Sequence, residues 1–212
     1  MNGADKLFFE RECAAQGFCA VAGVDEVGRG PLAGPVVCAA VVMPRDRIVA
    51  GVDDSKKLSA KKREAIAEEI RKTAVCYRIE EIPADVIDEI NILQATRLCM
   101  KHAVDGLDPP ADFVLTDGNM TLDIRLPQRS IVKGDALSYS VGAASILAKV
   151  YRDALMKEYA KEFPEYGFEK NAGYGTAAHI AAIREKGICR IHRKTFVTKF
   201  WDGRERTPLV HI

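Results

Sequence analysis

The hydrophobic pattern of this chain changes repeatedly between a two-residue and a 3.6-residue period, and this predicts an α/β protein. Short apolar runs predict six strands, near residues 20–26, 35–43, 47–52, 74–82, 112–117 and 129–133. Residues 35–43 are apolar on both faces, which indicates a strand inside the sheet. The short connection before them favours antiparallel pairing with the first strand.

Apolar residues spaced three and four apart predict the helices. They cover residues 4–16, 60–73, 90–106, 137–162 and 176–186, with a short helix beginning at Pro83. A hairpin followed by alternating strands and helices predicts a mixed β-sheet flanked by helices. We expect a main domain over residues 1–154, including the first helix, and a mostly helical C-terminal appendage over residues 155–212.

The composition sets limits on the class of protein. A hydrophobic content of 48% in 212 residues is ample for one sizeable core. The six cysteines form no CxxC pair, which indicates free thiols in a reducing compartment. Because acidic and basic residues interrupt the early apolar positions, we expect no signal peptide, and the longest apolar stretch, residues 35–44, is too short to span a membrane. We therefore expect a cytoplasmic protein with no membrane partner.

The net charge of +1 identifies no partner, but the charges are unevenly distributed. Residues 136–212 carry 13 Lys and Arg against 8 Asp and Glu, whereas residues 1–135 carry 18 against 22. An acidic region that attracts cations can therefore coexist with a basic flank that attracts anions. This combination is a weak indication of a phosphate polymer as ligand.

Acidic residues end three of the predicted strands. Asp25 and Glu26 end the first, and Asp117 and Asp135 end or follow two later ones. Open α/β sheets bind ligands at the carboxyl ends of their strands, so we expect these acids to converge. Their mutual repulsion calls for divalent cations, and oxygen ligands without His or Cys favour Mg²⁺ or Mn²⁺. Two such ions would suit in-line attack on a phosphodiester.

A loop rich in glycine follows the first acidic pair. Gly28, Arg29 and Gly30 offer backbone without bulky side chains beside the acids, which suits close approach of a ligand. An ordinary turn with solvated acids is the alternative interpretation of this segment alone. The glycine spacing misses the dinucleotide-binding pattern, and the acids would repel a pyrophosphate, so a nucleotide-cofactor enzyme fits poorly.

Three segments resemble the signature blocks of one family. They are residues 25–31 (DEVGRGP), 54–58 (DSKKL) and 143–153 (AASILAKVYRD). These blocks are similar to those of bacterial ribonuclease HII, the type 2 ribonuclease H family. Matching blocks run in the same order from about residue 20 to residue 197, which is nearly the whole chain.

The resemblance implies an RNase H-like sheet and an endoribonuclease that cleaves the RNA strand of RNA/DNA hybrids. It also implies incision 5′ of single ribonucleotides within duplex DNA, with 3′-hydroxyl and 5′-phosphate products. Asp25, Glu26, Asp117 and Asp135 would be the catalytic carboxylates that bind two Mg²⁺ or Mn²⁺ ions. Asp25, on the first strand, is the best candidate to bind both ions, and the partition of the others stays open. We expect a monomer whose C-terminal appendage contributes to substrate binding.

Further residues are expected to contact the substrate. By resemblance, the backbone of Gly28, Arg29 and Gly30 would meet the ribose 2′-hydroxyl, and Tyr174 would stack at the RNA–DNA junction. We expect phosphate contacts from five other residues: Ser55, Lys56, Lys57, Ser145 and Lys149. Asp153, His179 and His192 are interpreted as structural, with Asp153 pairing Arg152 or a neighbour.

Two other functions remain open from the residues alone. Another two-metal nuclease or recombinase on a related sheet would share the clustered acids, but not the glycine-arginine-glycine and Ser-Lys-Lys-Leu blocks together. A nucleic-acid-binding module with vestigial acids is the non-enzymatic alternative. Four intact acids argue against it, and dependence of cleavage on Mg²⁺ would decide.

Overall fold

The computed structural model describes residues 5–52 and 58–205. The helices are α1 (Phe8–Ala15), α2 (Ala60–Thr73), α3 (Ala84–Asp105), α4 (Gly134–Leu137), α5 (Tyr139–Glu162), α6 (Phe168–Asn171), α7 (Ala177–Lys186) and α8 (Lys194–Val197), with a 3₁₀ turn at Pro164–Tyr166. The strands are β1 (Val21–Val27), β2 (Val36–Val42), β3 (Cys76–Ile82), β4 (Phe113–Asp117) and β5 (Gln128–Ile131). No helix within these two ranges is both long enough and apolar enough to cross a membrane.

The strands form one mixed sheet in the order β3-β2-β1-β4-β5. β2 pairs antiparallel with both β1 and β3, and the antiparallel pairing of β1 with β2 confirms the prediction from their short connection. β4 pairs parallel with both β1 and β5. β1 is therefore the central strand, and the carboxyl ends of β1, β4 and β5 meet at one edge of the sheet. The predicted α/β class with a mixed sheet is confirmed.

Helices cover both faces of this sheet. β2 is buried at every position because its side chains alternate between two covered faces. Val36 packs towards α3 in a cluster with Ile87, whereas its neighbour Val37 packs towards α5 in a cluster with Ile146. The continuous apolar run that predicted an internal strand thus results from burial on both sides.

A separate apolar cluster organises the C-terminal part. The rings of Tyr166 and Phe168 stack in it with centroids 5.4 Å apart, and Met156 from the second half of α5 joins them. Ala33, which lies between β1 and β2, belongs to the same cluster, so the C-terminal part packs against the loop that leaves β1. α5 continues through residue 154. The predicted boundary therefore falls inside a helix, and the division into two domains stays a prediction.

The strand predicted near residues 47–52 is wrong, because that segment forms no strand. Val49 and Val52 are buried nonetheless, and the Val49 backbone N–H donates to the Tyr139 hydroxyl at 2.7 Å. β2 already pairs along both edges, so it offers no free edge to a further strand. Burial under the α5 side of the sheet, and not strand pairing, explains the apolar residues of this segment.

Two smaller differences concern the helices. α3 is interrupted at Asn91, whose φ of 66° and ψ of 162° are not helical, so its halves correspond to the predicted short and long helices. Residues 164–175 fall between two predicted helices and contain three glycines, yet they form the 3₁₀ turn and α6. Single helical turns bounded by glycine are too short to produce a helical period in the sequence.

Candidate active site

Asp25 lies near the carboxyl end of the central strand and is only 5% exposed. Its carboxylate accepts a hydrogen bond from the Glu26 backbone N–H at 2.8 Å and another from the Ser145 side chain on α5. Burial, followed by the charges of Glu26 and Asp117, raises the pKa of Asp25 well above its ordinary value. An ionised Asp25 would therefore be stabilised by a nearby positive charge.

Glu26 is partly buried, and its carboxylate pairs with the Arg29 guanidinium at 3.3 Å. Burial raises the pKa of Glu26, the Arg29 charge opposes this rise, and the Asp117 charge adds to it. Asp117 thus acts electrostatically on both Asp25 and Glu26, and the three carboxylates share one region at the edge of the sheet.

Asp117 ends β4, and the parallel pairing of β4 with β1 directs both strands to the same edge. The Gly134 backbone N–H donates to Asp117 Oδ1 at 2.6 Å, which holds the segment after β5 against this carboxylate. Asp135 is the next residue and is 8% exposed. The expectation that Asp135 ends a strand is wrong. β5 stops at Ile131, a left-handed Lys133 follows with φ 61°, and Asp135 occupies the first turn of α4.

The donor chemistry of these four residues fits a hard divalent cation. All four offer carboxylate oxygens, and burial with like-charge repulsion destabilises the ionised forms of Asp25 and Glu26 unless a cation is bound. Within residues 5–52 and 58–205, no three His, Cys, Asp or Glu side chains form a ready-made set of metal ligands. Ion binding would therefore involve adjustment of these side chains or additional water and substrate oxygens, as Mg²⁺ commonly requires.

Gly28 and Gly30 follow the acidic pair and differ in what the fold demands of them. Gly28 has a φ of 92°, and a Cβ there would lie 2.3 Å from the Arg152 Nε, so the fold itself requires glycine. At Gly30 a Cβ would meet only the Tyr174 ring, at 3.7 Å. Because folding leaves room for a side chain at this exposed position, the absence of one keeps the backbone accessible to a ligand.

Tyr174 lies in a loop that is tied firmly to the rest of the molecule. The preceding Gly173 carbonyl accepts the backbone N–H groups of Leu32 at 2.8 Å and Ala33 at 3.3 Å. The Tyr174 carbonyl contacts His179 Nδ1 at 2.9 Å. The ring itself is 48% exposed beside Gly30. The backbone of Tyr174 is therefore held in place while its aromatic face stays available.

The other predicted contact residues have different environments. Ser55, Lys56 and Lys57 lie outside the described residues. Ser145 is buried, with its hydroxyl directed to Asp25. Lys149 pairs with Asp153 at 2.5 Å, and Asp153 also pairs with Arg63 at 3.5 Å. Asp153 therefore links α5 to α2, as a structural role predicts.

Arg152 is one of two almost completely buried arginines that sequence reasoning missed. Its guanidinium donates to the carbonyls of Pro35 at 3.0 Å, Ala33 at 3.0 Å and Ala172 at 2.9 Å. Of the two predicted alternatives for Asp153, the ion pair is with a neighbour, Lys149, and not with Arg152. Arg152 joins the β1–β2 loop to the segment that precedes Tyr174.

Arg193 is the second buried arginine and is fully shielded from solvent. It donates to the carbonyls of Gly28 at 2.5 Å, Arg29 at 2.8 Å and Gly34 at 2.8 Å and 3.0 Å. The sequence does not indicate this burial, because Arg193 lies in a run of basic residues, and such runs are typical of a solvated surface.

His179 and His192 form a buried pair under the Tyr174 loop. The Cys189 backbone N–H donates to His192 Nδ1 at 3.0 Å, so His192 carries its proton on Nε2 and donates it to His179 Nε2 at 3.0 Å. His179 then donates from Nδ1 to the Tyr174 carbonyl. Both imidazoles are therefore neutral packing groups, and contact with nucleic acid is not their role.

This pair predicts acid sensitivity of the fold. Burial, then the neighbouring His179, lowers the pKa of His192 to about 3, and burial lowers the pKa of His179. A depressed pKa makes the unfolded state bind more protons, so stability is full above the unfolded value near 6.5 and falls as pH decreases. We expect His192 to lower the free energy of unfolding by about 2 kcal/mol between pH 7 and pH 5, and His179 to change it in the same direction.

Urea unfolding at several pH values measures this slope. His192→Asn should flatten it, whereas His102→Gln, at an exposed position on α3, should leave it unchanged. An unaltered slope in His192→Asn would show that other groups cause the acid sensitivity.

Comparison with solved structures identifies the class of protein. The ribonuclease H2 of Pyrococcus horikoshii OT3 superposes with a TM-score of 0.73 at 26% identity, covering 86% of this chain and 97% of that one. The RNase HII of Archaeoglobus fulgidus, solved in complex with PCNA, superposes with a TM-score of 0.70 at 27% identity, covering 88% and 98%. The chain therefore has the RNase H-like fold of the type 2 enzymes.

Sequence comparison identifies the family. The family model described as Ribonuclease HII matches residues 22–199. A Ribonuclease HII of Syntrophotalea carbinolica is 51% identical over 190 residues, covering 90% of this chain and 91% of the relative. One of Leuconostoc mesenteroides is 54% identical over 187 residues, covering 88% and 74%. The chain belongs to the ribonuclease HII family, and it is an endoribonuclease H of the hydrolase class.

Proposed function

We propose that this protein hydrolyses the RNA strand of RNA/DNA hybrids and cuts 5′ of single ribonucleotides embedded in duplex DNA, leaving 3′-hydroxyl and 5′-phosphate ends. One observation carries the proposal. Carboxylates that repel one another lie at the ends of β1 and β4. Beside them are the accessible backbone of Gly30 and the exposed Tyr174. This arrangement combines phosphodiester chemistry with recognition of a sugar.

Asp25, Glu26, Asp117 and Asp135 are the residues that would hold two Mg²⁺ or Mn²⁺ ions. Such ions, when bound, supply a water-derived nucleophile and stabilise the leaving oxygen. Ser145 orients Asp25 through its hydrogen bond, and the Gly134 N–H orients Asp117. Arg29 limits the repulsion that Glu26 experiences. These supports keep the carboxylate oxygens in fixed directions before substrate arrives.

The substrate would be read beside these acids. The backbone of residues 28–30 would approach the ribose 2′-hydroxyl, and the Tyr174 ring would cover the step from ribose to deoxyribose. Lys149, together with Ser55, Lys56 and Lys57 outside the described residues, would contact phosphates. All of these groups come from one chain, so we propose a monomer. The six free cysteines suit a reducing cytoplasm.

Cleavage of defined duplexes tests the proposal. The protein is incubated with Mg²⁺ or Mn²⁺ and a labelled DNA duplex that contains one ribonucleotide, beside an all-DNA duplex and a full RNA/DNA hybrid. We expect cutting of the ribonucleotide-containing strands only, and none in EDTA. Cleavage of the all-DNA duplex at the same rate would favour a general two-metal nuclease. Binding without cleavage in either ion would favour a binding module.

The product ends provide a further prediction. Because a water-derived nucleophile attacks the phosphorus, the 2′-hydroxyl is needed for recognition but forms no bond. We expect 3′-hydroxyl and 5′-phosphate ends and no 2′,3′-cyclic phosphate by mass spectrometry. A cyclic product would reject the two-metal mechanism in favour of internal attack by the 2′-oxygen.

A further inference from the structure

Arg193 has an unusual set of partners for a buried cation. No carboxylate in residues 5–52 or 58–205 forms an ion pair with it, and its hydrogen bonds go to three carbonyls of the β1–β2 loop. Taking a guanidinium out of water without a paired carboxylate is costly. The hydrogen bonds to the loop carbonyls offset this cost, and they couple the buried charge to the conformation of the loop.

The positions of the accepted carbonyls suggest what the charge does. Arg193 Nη2 binds the Gly28 carbonyl at 2.5 Å, and Nη1 binds the Arg29 carbonyl at 2.8 Å. In a trans peptide the carbonyl and the following N–H point in opposite directions. With the two carbonyls turned inward to a fully buried guanidinium, the N–H groups of Arg29 and Gly30 must point outward.

These two amides are in a position to bind a ligand. Arg29 and Gly30 are both exposed. Neither N–H has a hydrogen-bond acceptor in the part of the chain that the structure describes. Two outward donors on consecutive residues, beside the acids and the Tyr174 ring, are able to donate to the same ligand oxygen.

We propose that Arg193 is the positioning residue of this loop: it fixes the two peptide planes so that the Arg29 and Gly30 amides can bind the ribose 2′-hydroxyl. The inference rests on the proposed function, because it assumes a ribose at this site. Lysine cannot replace Arg193 here, since one ammonium group lacks the planar fork that reaches several carbonyls at once.

Arg152 provides a matched control. It is also a buried arginine bound to carbonyls of the same loop, but its acceptors are Ala33, Pro35 and Ala172, beyond the two amides. Arg193→Lys and Arg152→Lys should both lower the melting temperature. Only Arg193→Lys should change how the protein distinguishes ribose from deoxyribose.

The test measures binding in Ca²⁺ of two duplexes that differ only in one 2′-hydroxyl, with single-turnover cleavage in Mg²⁺ beside it. We expect Arg193→Lys to reduce the preference for the ribonucleotide duplex by about 2- to 12-fold, the size of one hydrogen bond. Arg152→Lys should keep the wild-type preference. Arg193→Gln is the second variant, because it removes the unpaired buried charge and should fold, yet it reaches at most one carbonyl.

The outcomes separate the two proposals. An Arg193→Gln protein that is folded and keeps the full preference would overturn the positioning role. An equal loss in Arg152→Lys would also overturn it, since a general loosening of the loop would then explain both. If the wild-type protein neither prefers nor cleaves the ribonucleotide duplex, the proposed function is wrong, and the positioning role that rests on it is wrong as well.

Discussion

Asp25→Asn and Asp135→Asn are each expected to reduce the cleavage rate by about 10²–10³-fold or more, while the protein stays folded. A neutral amide is a poor ligand for a hard cation, so each change removes a metal ligand from the proposed site. The melting temperature of the metal-free protein should hold or rise for Asp25→Asn. The pKa of Asp25 is raised by burial and by two neighbouring acids, so its ionised form opposes folding at neutral pH.

Single-turnover cleavage at saturating Mg²⁺ measures the loss, with melting curves in EDTA and in Mg²⁺. Wild-type protein should gain stability from the ion by mass action, and the variants should gain less. Asp105→Asn is the control, because Asp105 forms only a surface ion pair with Lys101. Turnover close to wild type in either variant would remove that residue from the site.

Tyr174→Ala is expected to lose most of the activity on a single ribonucleotide in DNA, whereas Tyr174→Phe keeps the ring and should lose far less. Stacking of a base or sugar on an aromatic ring contributes about 1–3 kcal/mol, which corresponds to about 5- to 150-fold in rate. The backbone of Tyr174 is anchored through Gly173 and His179, so the ring can orient the ribose at the acids without moving itself.

Affinity for the duplex in Ca²⁺ should change little, because the effect is on orientation and not on overall binding. Tyr77→Ala is the matched control, since Tyr77 is similarly exposed but lies on the edge strand β3. A fully active Tyr174→Ala would show that Tyr174 has only a packing role. A loss of activity that accompanies a strongly lowered melting temperature would show the same.

The sequence was sufficient for the candidate site where local pattern and chemistry coincide. Asp25 and Asp117 each end an apolar run, and runs of that kind form strands when both faces are covered. Because β1 and β4 pair in parallel, the carboxyl ends of the two strands lie at the same edge of the sheet, and so do their acids. Asp135 was selected on the expectation that it ends a strand, but it lies on a short helix that has too few residues to show a period.

Local pattern failed where a residue's environment is created by distant segments. The apolar residues near 47–52 have the composition of a strand, but β2, which precedes them, already pairs along both of its edges. The glycine at position 28 is explained by its φ of 92° and by the Arg152 side chain that packs against it, and the local pattern predicts neither. The basic run around Arg193 has the composition of a solvated surface, yet Arg193 is fully buried.

The sequence by itself thus determined the α/β class and the order of the main elements, and it singled out the acidic residues of the candidate site, because these features depend on neighbours within a few positions. Only the tertiary structure decided how the site is supported. Arg193 and the Gly34 carbonyl that it binds are 159 positions apart, and His179 and His192 meet only after α7 packs under the Tyr174 loop. The burial of Arg193, which brings its guanidinium to the loop carbonyls, depends on the packing of the assembled core. No local periodicity in the sequence predicts it.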